Sequence, residues 1–130
     1  MKHLVYALAV ALPLPLFAAT TTILDGYRAA ARQEAPSFKD FSAARGETFY
    51  RAKAGDVACA TCHGDSPKDH GKHATTGKDI LPMAPAANPD RFTDAAKVEK
   101  WFRRNCNDVL KRACSAAEKG DFITYLTSVR

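Results

Sequence analysis

The residues best suited to chemistry are Cys59-Ala60-Thr61-Cys62-His63. Two thiols separated by two residues, with an imidazole directly after the second, form the attachment pattern of a c-type haem. Each thiol can add across a haem vinyl group to give a thioether. The next side chain is then held beneath the iron, where its nitrogen can ligate the metal. Rival chemistries need other surroundings. A redox dithiol wants a βαβ context, and no parallel-strand pattern is present. Zinc would need further ligands at regular spacing, whereas the remaining cysteines, Cys106 and Cys114, lie far downstream. Covalent haem c with one iron is the expected cofactor, with Cys59, Cys62 and His63 as its holders. No acid–base pair or nucleophile motif stands out, so any catalysis must be iron chemistry.

The start of the chain sets the compartment. Lys2 and His3 precede an apolar run, Leu4 to Phe17, that ends in Ala18 and Ala19. This is the pattern of a secretory signal peptide, too short for a comfortable membrane span and broken by Pro13 and Pro15. The expected organisation is a signal peptide at 1–18 and a monohaem cytochrome c domain at 19–130, periplasmic after cleavage. About 112 residues suffice for one modest core. Export also means an oxidising compartment, where a cysteine pair outside the haem motif forms a disulfide. The formal charge of +5 includes Lys2, and residues 1–18 hold no acid, so the mature chain carries +4. That balance favours acidic partners. Nucleic acid is not expected, because the basic residues are not interleaved with a binding motif.

Four helices must position the motif, besides any turn it forms itself. Ile23 to Ala35 reads as an added N-terminal helix, stopped by Pro36. Phe41 to Ala54 reads as a second, with Gly55 just past its end. Gly46 sits inside it, where glycine costs about 1 kcal/mol against alanine and signals a close helix approach. Residues 64–92 hold four prolines and three glycines, and a long loop of this kind suits wrapping a cofactor. Thr93 or Asp94 caps a third helix to about Leu110. Its apolar stripe runs Val98, Trp101, Phe102, Val109, with Asn105 at the intervening position. Its other face carries Lys97, Lys100, Arg103, Arg104 and Lys111, mostly solvated charge and a candidate docking patch. Ser115-Ala-Ala-Glu118 is a capping box opening a last helix to Val129, with Phe122, Tyr125, Leu126 and Val129 on its apolar face. No strand pattern is evident. The fold class is all-α.

With its haem motif between two helices and a final Asp121-Phe-Ile-Thr-Tyr-Leu, the mature chain resembles class I cytochrome c. There the N- and C-terminal helices cross with a small residue facing an aromatic, which implies Gly46 and Phe49/Tyr50 meeting Tyr125. Four stretches carry a closer resemblance: Asp56-Val-Ala-Cys-Ala-Thr-Cys-His-Gly, Met83-Ala-Pro, Asn88-Pro-Asp-Arg-Phe-Thr-Asp and Lys97-Val-Glu-Lys-Trp-Phe-Arg-Arg-Asn-Cys-Asn-Asp-Val-Leu. Together they resemble the sphaeroides haem protein family, exported class I-like cytochromes with a high-spin haem. The resemblance implies Asn105 as sixth iron ligand and a Cys106–Cys114 bridge beside it. It also implies electron donors, namely another c-type cytochrome, often dihaem, and a membrane cytochrome b. A reaction with O₂ or NO as the terminal step of that chain is implied in the same way.

Other residues compete for the sixth position. Met83 lies in a Pro-flanked loop, as in many electron carriers with a closed six-coordinate haem, yet it precedes the third helix; its bland role is apolar packing at the haem edge. His73, and less so His70, could give a bis-His haem, although each also reads as a surface-loop histidine. Asn107 is the register alternative to Asn105, off the apolar face. Asn105 falls between Phe102 and Val109, so burial is expected, and a buried amide without partners costs about 1–3 kcal/mol. Its oxygen is a weak neutral ligand, which predicts a high-spin haem that opens to small diatomic ligands and a lowered reduction potential. In a continuous helix Cys106 and Cys114 would stand about 12 Å apart along the axis, too far to bridge. The bridge therefore requires the third helix to end near Leu110 and the chain to turn back.

Overall fold

In a computed structural model the described residues are 16–130. The expected signal peptide lies almost wholly outside them. Five helices and one minimal hairpin follow in order: α1 Leu16–Glu34, α2 Ala43–Arg51, α3 Cys59–His63, β1 Gly71–Lys72, β2 Asp79–Ile80, α4 Ala95–Leu110 and α5 Ala116–Ser128. No helix among the described residues is long and apolar enough to cross a membrane.

The α2–α5 crossing is the centre of the fold. Gly46 makes it possible, since a Cβ there would stand 2.0 Å from the Asp121 carbonyl oxygen and 2.7 Å from Tyr125 Cβ. Tyr50 then meets Tyr125 with ring centroids 5.6 Å apart and Phe122 at 6.2 Å. Phe49 meets Phe122 edge-on at 6.0 Å. Phe102 of α4 joins the same group, edge-on to Phe122 at 5.7 Å and to Tyr27 of α1 at 6.0 Å. Such edge-to-face pairs add about 0.5–1.5 kcal/mol each beyond their burial. The core is therefore one aromatic cluster to which α1, α2, α4 and α5 all contribute.

Local signals set the helix ends. Ser42 caps α2 by accepting from the Arg45 amide at 3.3 Å, so α2 starts after Phe41 rather than at it. It stops at Arg51, and Gly55 (φ 64°) serves a turn in which the Ala54 amide donates to the Val57 carbonyl at 2.9 Å. Asp94 caps α4, its carboxylate accepting from the Lys97 amide at 3.0 Å. Ser115 and Glu118 exchange the two hydrogen bonds of a capping box on α5, and Glu34 of α1 accepts from the next amide, Ala116, at 2.8 Å. Loop 64–92 is less irregular than its composition suggests. Within it β1 pairs antiparallel with β2, Gly71 opposite Ile80 and Lys72 opposite Asp79. Two-residue strands carry no alternation that a periodicity argument could find.

Candidate haem site

α3 is the haem motif itself, a single helical turn that brings Cys59, Cys62 and His63 together. Thr61 Oγ1 accepts from the Ala58 amide at 2.9 Å and closes the entry to the turn. Gly64 (φ 81°) ends it, donating its amide to the Ala60 carbonyl at 2.9 Å. From α2, the buried Tyr50 hydroxyl donates to the Gly64 carbonyl at 2.7 Å. On another side the backbone of β1 lies directly on the turn: a Cβ on Gly71 would come within 2.1 Å of the Cys62 carbonyl oxygen. Tyr50 and Gly71 were not signalled as site residues by the sequence, because neither type carries haem chemistry.

Whether these residues suit a haem can be read from their state. Cys59 and Cys62 are free thiols, both partly buried, while Cys106 and Cys114 are joined to each other with Cα atoms 5.8 Å apart. Burial pushes the Cys59 thiol up to about 11, so it is held as the thiol. Burial, aided by the Arg91 guanidinium, pushes His63 down to about 4 and keeps its imidazole neutral, the form that binds a metal. Two large apolar side chains stand outside the core, Leu81 at 59% exposure and Trp101 at 45%. Cys59 and Ala60 of α3 border the same aromatic cluster as Val98 and Phe102 of α4. These features fit a flat apolar group held by two thioethers and His63. The disulfide removes Cys106 and Cys114 as zinc thiolates. Among the described residues, no group of three or more His, Cys, Asp or Glu could hold a metal ion.

The sixth-ligand candidates fall in different places. Met83 is half-buried against the core cluster, and the amides of Met83 and Ala84 both donate to the Pro67 carbonyl, at 2.8 and 2.9 Å. His73 is exposed, its Nδ1 accepting from the Thr75 and Thr76 amides at 3.3 and 3.2 Å. His70 is exposed too. Asn105 lies on α4 directly before Cys106. The buried row of α4 is Val98, Phe102 and Cys106, which tilts Asn105 to the edge of the core, one turn beyond Trp101. Asn107 is exposed on the far side. The chain does turn back after α4: Lys111 takes the left-handed conformation (φ 57°) directly after Leu110, and Cys114 returns to Cys106. Asn105 thus adjoins a cross-linked residue.

A c-type cytochrome of class I type is what this helical crossing and this motif turn define. Comparison with known proteins agrees. A family model described as a domain of unknown function, DUF1924, matches residues 36–126. Cytochrome c'' of Methylophilus methylotrophus is 45% identical over 93 residues, 72% of this chain and 65% of that protein's length. Cytochrome c-type protein SHP of Cereibacter sphaeroides is 41% identical over 111 residues, 82% of this chain and 81% of that protein. The crystal structure of oxidized cytochrome c'' superposes with a TM-score of 0.79 at 37% identity, covering 87% of this chain and 96% of that one. Oxidized SHP, described as an oxygen binding cytochrome c, superposes at 0.74 with 39% identity, covering 84% and 96%. The chain belongs to the DUF1924 family and is a relative of cytochrome c'' and SHP, the sphaeroides haem protein type.

Proposed function

We propose that the chain is an exported monohaem cytochrome, ligated by His63 and Asn105, that accepts electrons and takes up small diatomic ligands such as O₂ or NO when Asn105 leaves. A haem on Cys59 and Cys62 would supply a one-electron couple and a coordination position for such a ligand. The observation that carries the reading is the placement of Asn105. That residue stands on α4 one turn beyond Trp101 and directly before Cys106, and the Cys106–Cys114 bridge fixes the point from which its amide would swing. The chain holds a single CxxCH, in keeping with one haem. The loop of Met83 is tied to Pro67, four residues after His63. That favours the His63 side for Met83 and counts against it as the opposing ligand.

Export rests on the leader at 1–18 and on the disulfide, and places the protein in the periplasm. Its electron donors are another c-type cytochrome, dihaem in the family pattern, and a membrane cytochrome b. Lys97, Lys100, Arg103 and Arg104 are exposed along α4 beside Trp101, a basic face suited to an acidic donor surface. A terminal reaction with O₂ or NO is the role the family resemblance implies, and an iron position that Asn105 vacates would allow it.

The test is the optical spectrum of the purified holoprotein, ferric and ferrous, before and after CO or NO. High-spin bands and rapid ligand uptake are expected. A low-spin spectrum with a thioether charge-transfer band, indifferent to CO, would make this a closed electron carrier ligated by Met83.

A further inference from the structure

The stretch Asn88-Pro-Asp-Arg-Phe-Thr-Asp holds none of the haem-binding residues, yet its side chains converge beside the haem turn. The Arg91 amide donates to the Asn88 carbonyl at 3.1 Å and Thr93 Oγ1 to the Asp90 carbonyl at 2.9 Å, closing a compact turn. From it Arg91 reaches back across the loop. Its Nε donates to the Pro82 carbonyl at 2.8 Å and its Nη2 to the Leu81 carbonyl at 2.8 Å. Asn88 Nδ2 adds a second donor to the Pro82 carbonyl at 3.3 Å.

These carbonyls are coupled to the ligand by a short physical chain. Leu81 follows Ile80, Ile80 pairs with Gly71, and Gly71 packs on the turn so closely that a Cβ would stand 2.9 Å from His63 Cα. The guanidinium therefore belongs to the His63 side of the site. It is half-buried, and none of the ion pairs among the described residues uses it. Carbonyl dipoles hold it without cancelling its charge.

We infer that Arg91 is a positioning residue of the haem site, strapping the Leu81–Pro82 backbone beside His63 and supplying a fixed positive charge that favours the ferrous state. The inference rests on the haem reading above. The sign follows from charge alone: a cation nearby destabilises the more positive ferric site, so Arg91 raises the reduction potential.

The test is spectroelectrochemical titration of purified holoprotein carrying Arg91→Gln, Arg91→Lys or Asn88→Ala, with urea unfolding alongside. Arg91→Gln should lower the ferrous-to-ferric ratio at fixed ambient potential by about tenfold, a fall of about 59 mV for one electron. Arg91→Lys keeps the charge but not the fork, so its potential should stay near wild type while unfolding becomes easier. Asn88→Ala weakens the strap without touching charge and should leave the potential in place. An unchanged potential in Arg91→Gln, or an equal fall in all three variants, would overturn the inference. If Arg91→Gln does not accumulate, Arg91→Lys decides: a fall in its potential means the fork, not the charge, matters. Failure of the haem reading looks different, since wild-type protein would then lack covalent haem; that outcome overturns both.

Discussion

The Tyr50 hydroxyl donates to the Gly64 carbonyl at 2.7 Å, tying the fully buried side chain of α2 to the residue that ends the haem turn. The ring is fixed independently by Phe122 and Tyr125, so the two contributions separate by mutation. Tyr50→Phe keeps the aromatic packing and leaves the Gly64 carbonyl without this donor. A cost of about 1–2 kcal/mol is expected, read as a lower urea midpoint with an unchanged m-value. A cost near zero would mean that water replaces the phenol at the end of the turn.

Gly46 and Gly120 both sit in crowded helix contacts, but the crowding differs in kind. A Cβ on Gly46 meets the Asp121 backbone and Tyr125 Cβ, atoms that move only if α2 and α5 separate. A Cβ on Gly120 meets the Phe41 ring, at 2.0 Å from its nearest atom, and a ring at the end of a partly exposed side chain can swing aside. Gly46→Ala should therefore cost about 3 kcal/mol or more, beyond any gain in helix propensity. Gly120→Ala should cost clearly less. Thermal unfolding of the two holoproteins gives the order directly, and a reversed order would refute this reading of the crossing.

Much of this was legible in the residues. A glycine inside a helical pattern marked the close approach at Gly46, and Thr93 or Asp94 and Ser115 announced two helix starts because such side chains cap locally; Asp94 is the one that caps α4. The end of α4 at Leu110 followed from what a Cys106–Cys114 bridge requires. What escaped notice depends on tertiary pairing. Ser42 caps α2, which begins at Ala43, two residues inside the expected start. The β1–β2 ladder arises because Gly71 lets backbone lie on Cys62, which no periodicity records. Arg91 and Tyr50 act through carbonyl groups of distant residues, and such partners carry no sequence signature.

The segment that returns from α4 to α5 is held by an ion pair with a definite pH response. Glu118 accepts from Arg112 at 2.8 and 2.6 Å and from the Ser115 amide at 2.9 Å. The Arg112 hydrogen bonds, opposed by burial, hold its carboxyl below the ordinary 4.5. A carboxyl depressed in the folded state stabilises that state above the unfolded value, and the contribution fades as pH falls through the folded value. Glu118→Gln should thus cost about 1 kcal/mol at pH 7 and progressively less below pH 4.5. Urea unfolding across this window measures it. A penalty independent of pH would mean that the capping geometry matters and the charge does not.

The disulfide and Asn105 make the sharpest pair of substitutions. Cys106 and Cys114 enclose a short segment, so opening the bridge should cost about 2–3 kcal/mol by loop-closure entropy. Because Asn105 is the residue before Cys106, the same change frees the backbone that aims its amide. Cys114→Ser should therefore speed CO binding as well as lower stability. Under the proposed Asn105 ligation, Asn105→Ala should remove the competing ligand and give CO uptake at least as fast, while leaving the disulfide in place. Met83→Leu provides the contrast, a volume-conserving change expected to cost under about 1.5 kcal/mol and to leave the spectrum unaltered. Flash photolysis of the three CO complexes separates these roles. An unchanged rate in Cys114→Ser would show that the bridge stabilises the fold without steering the ligand, and a spectral change confined to Met83→Leu would move the sixth position to Met83.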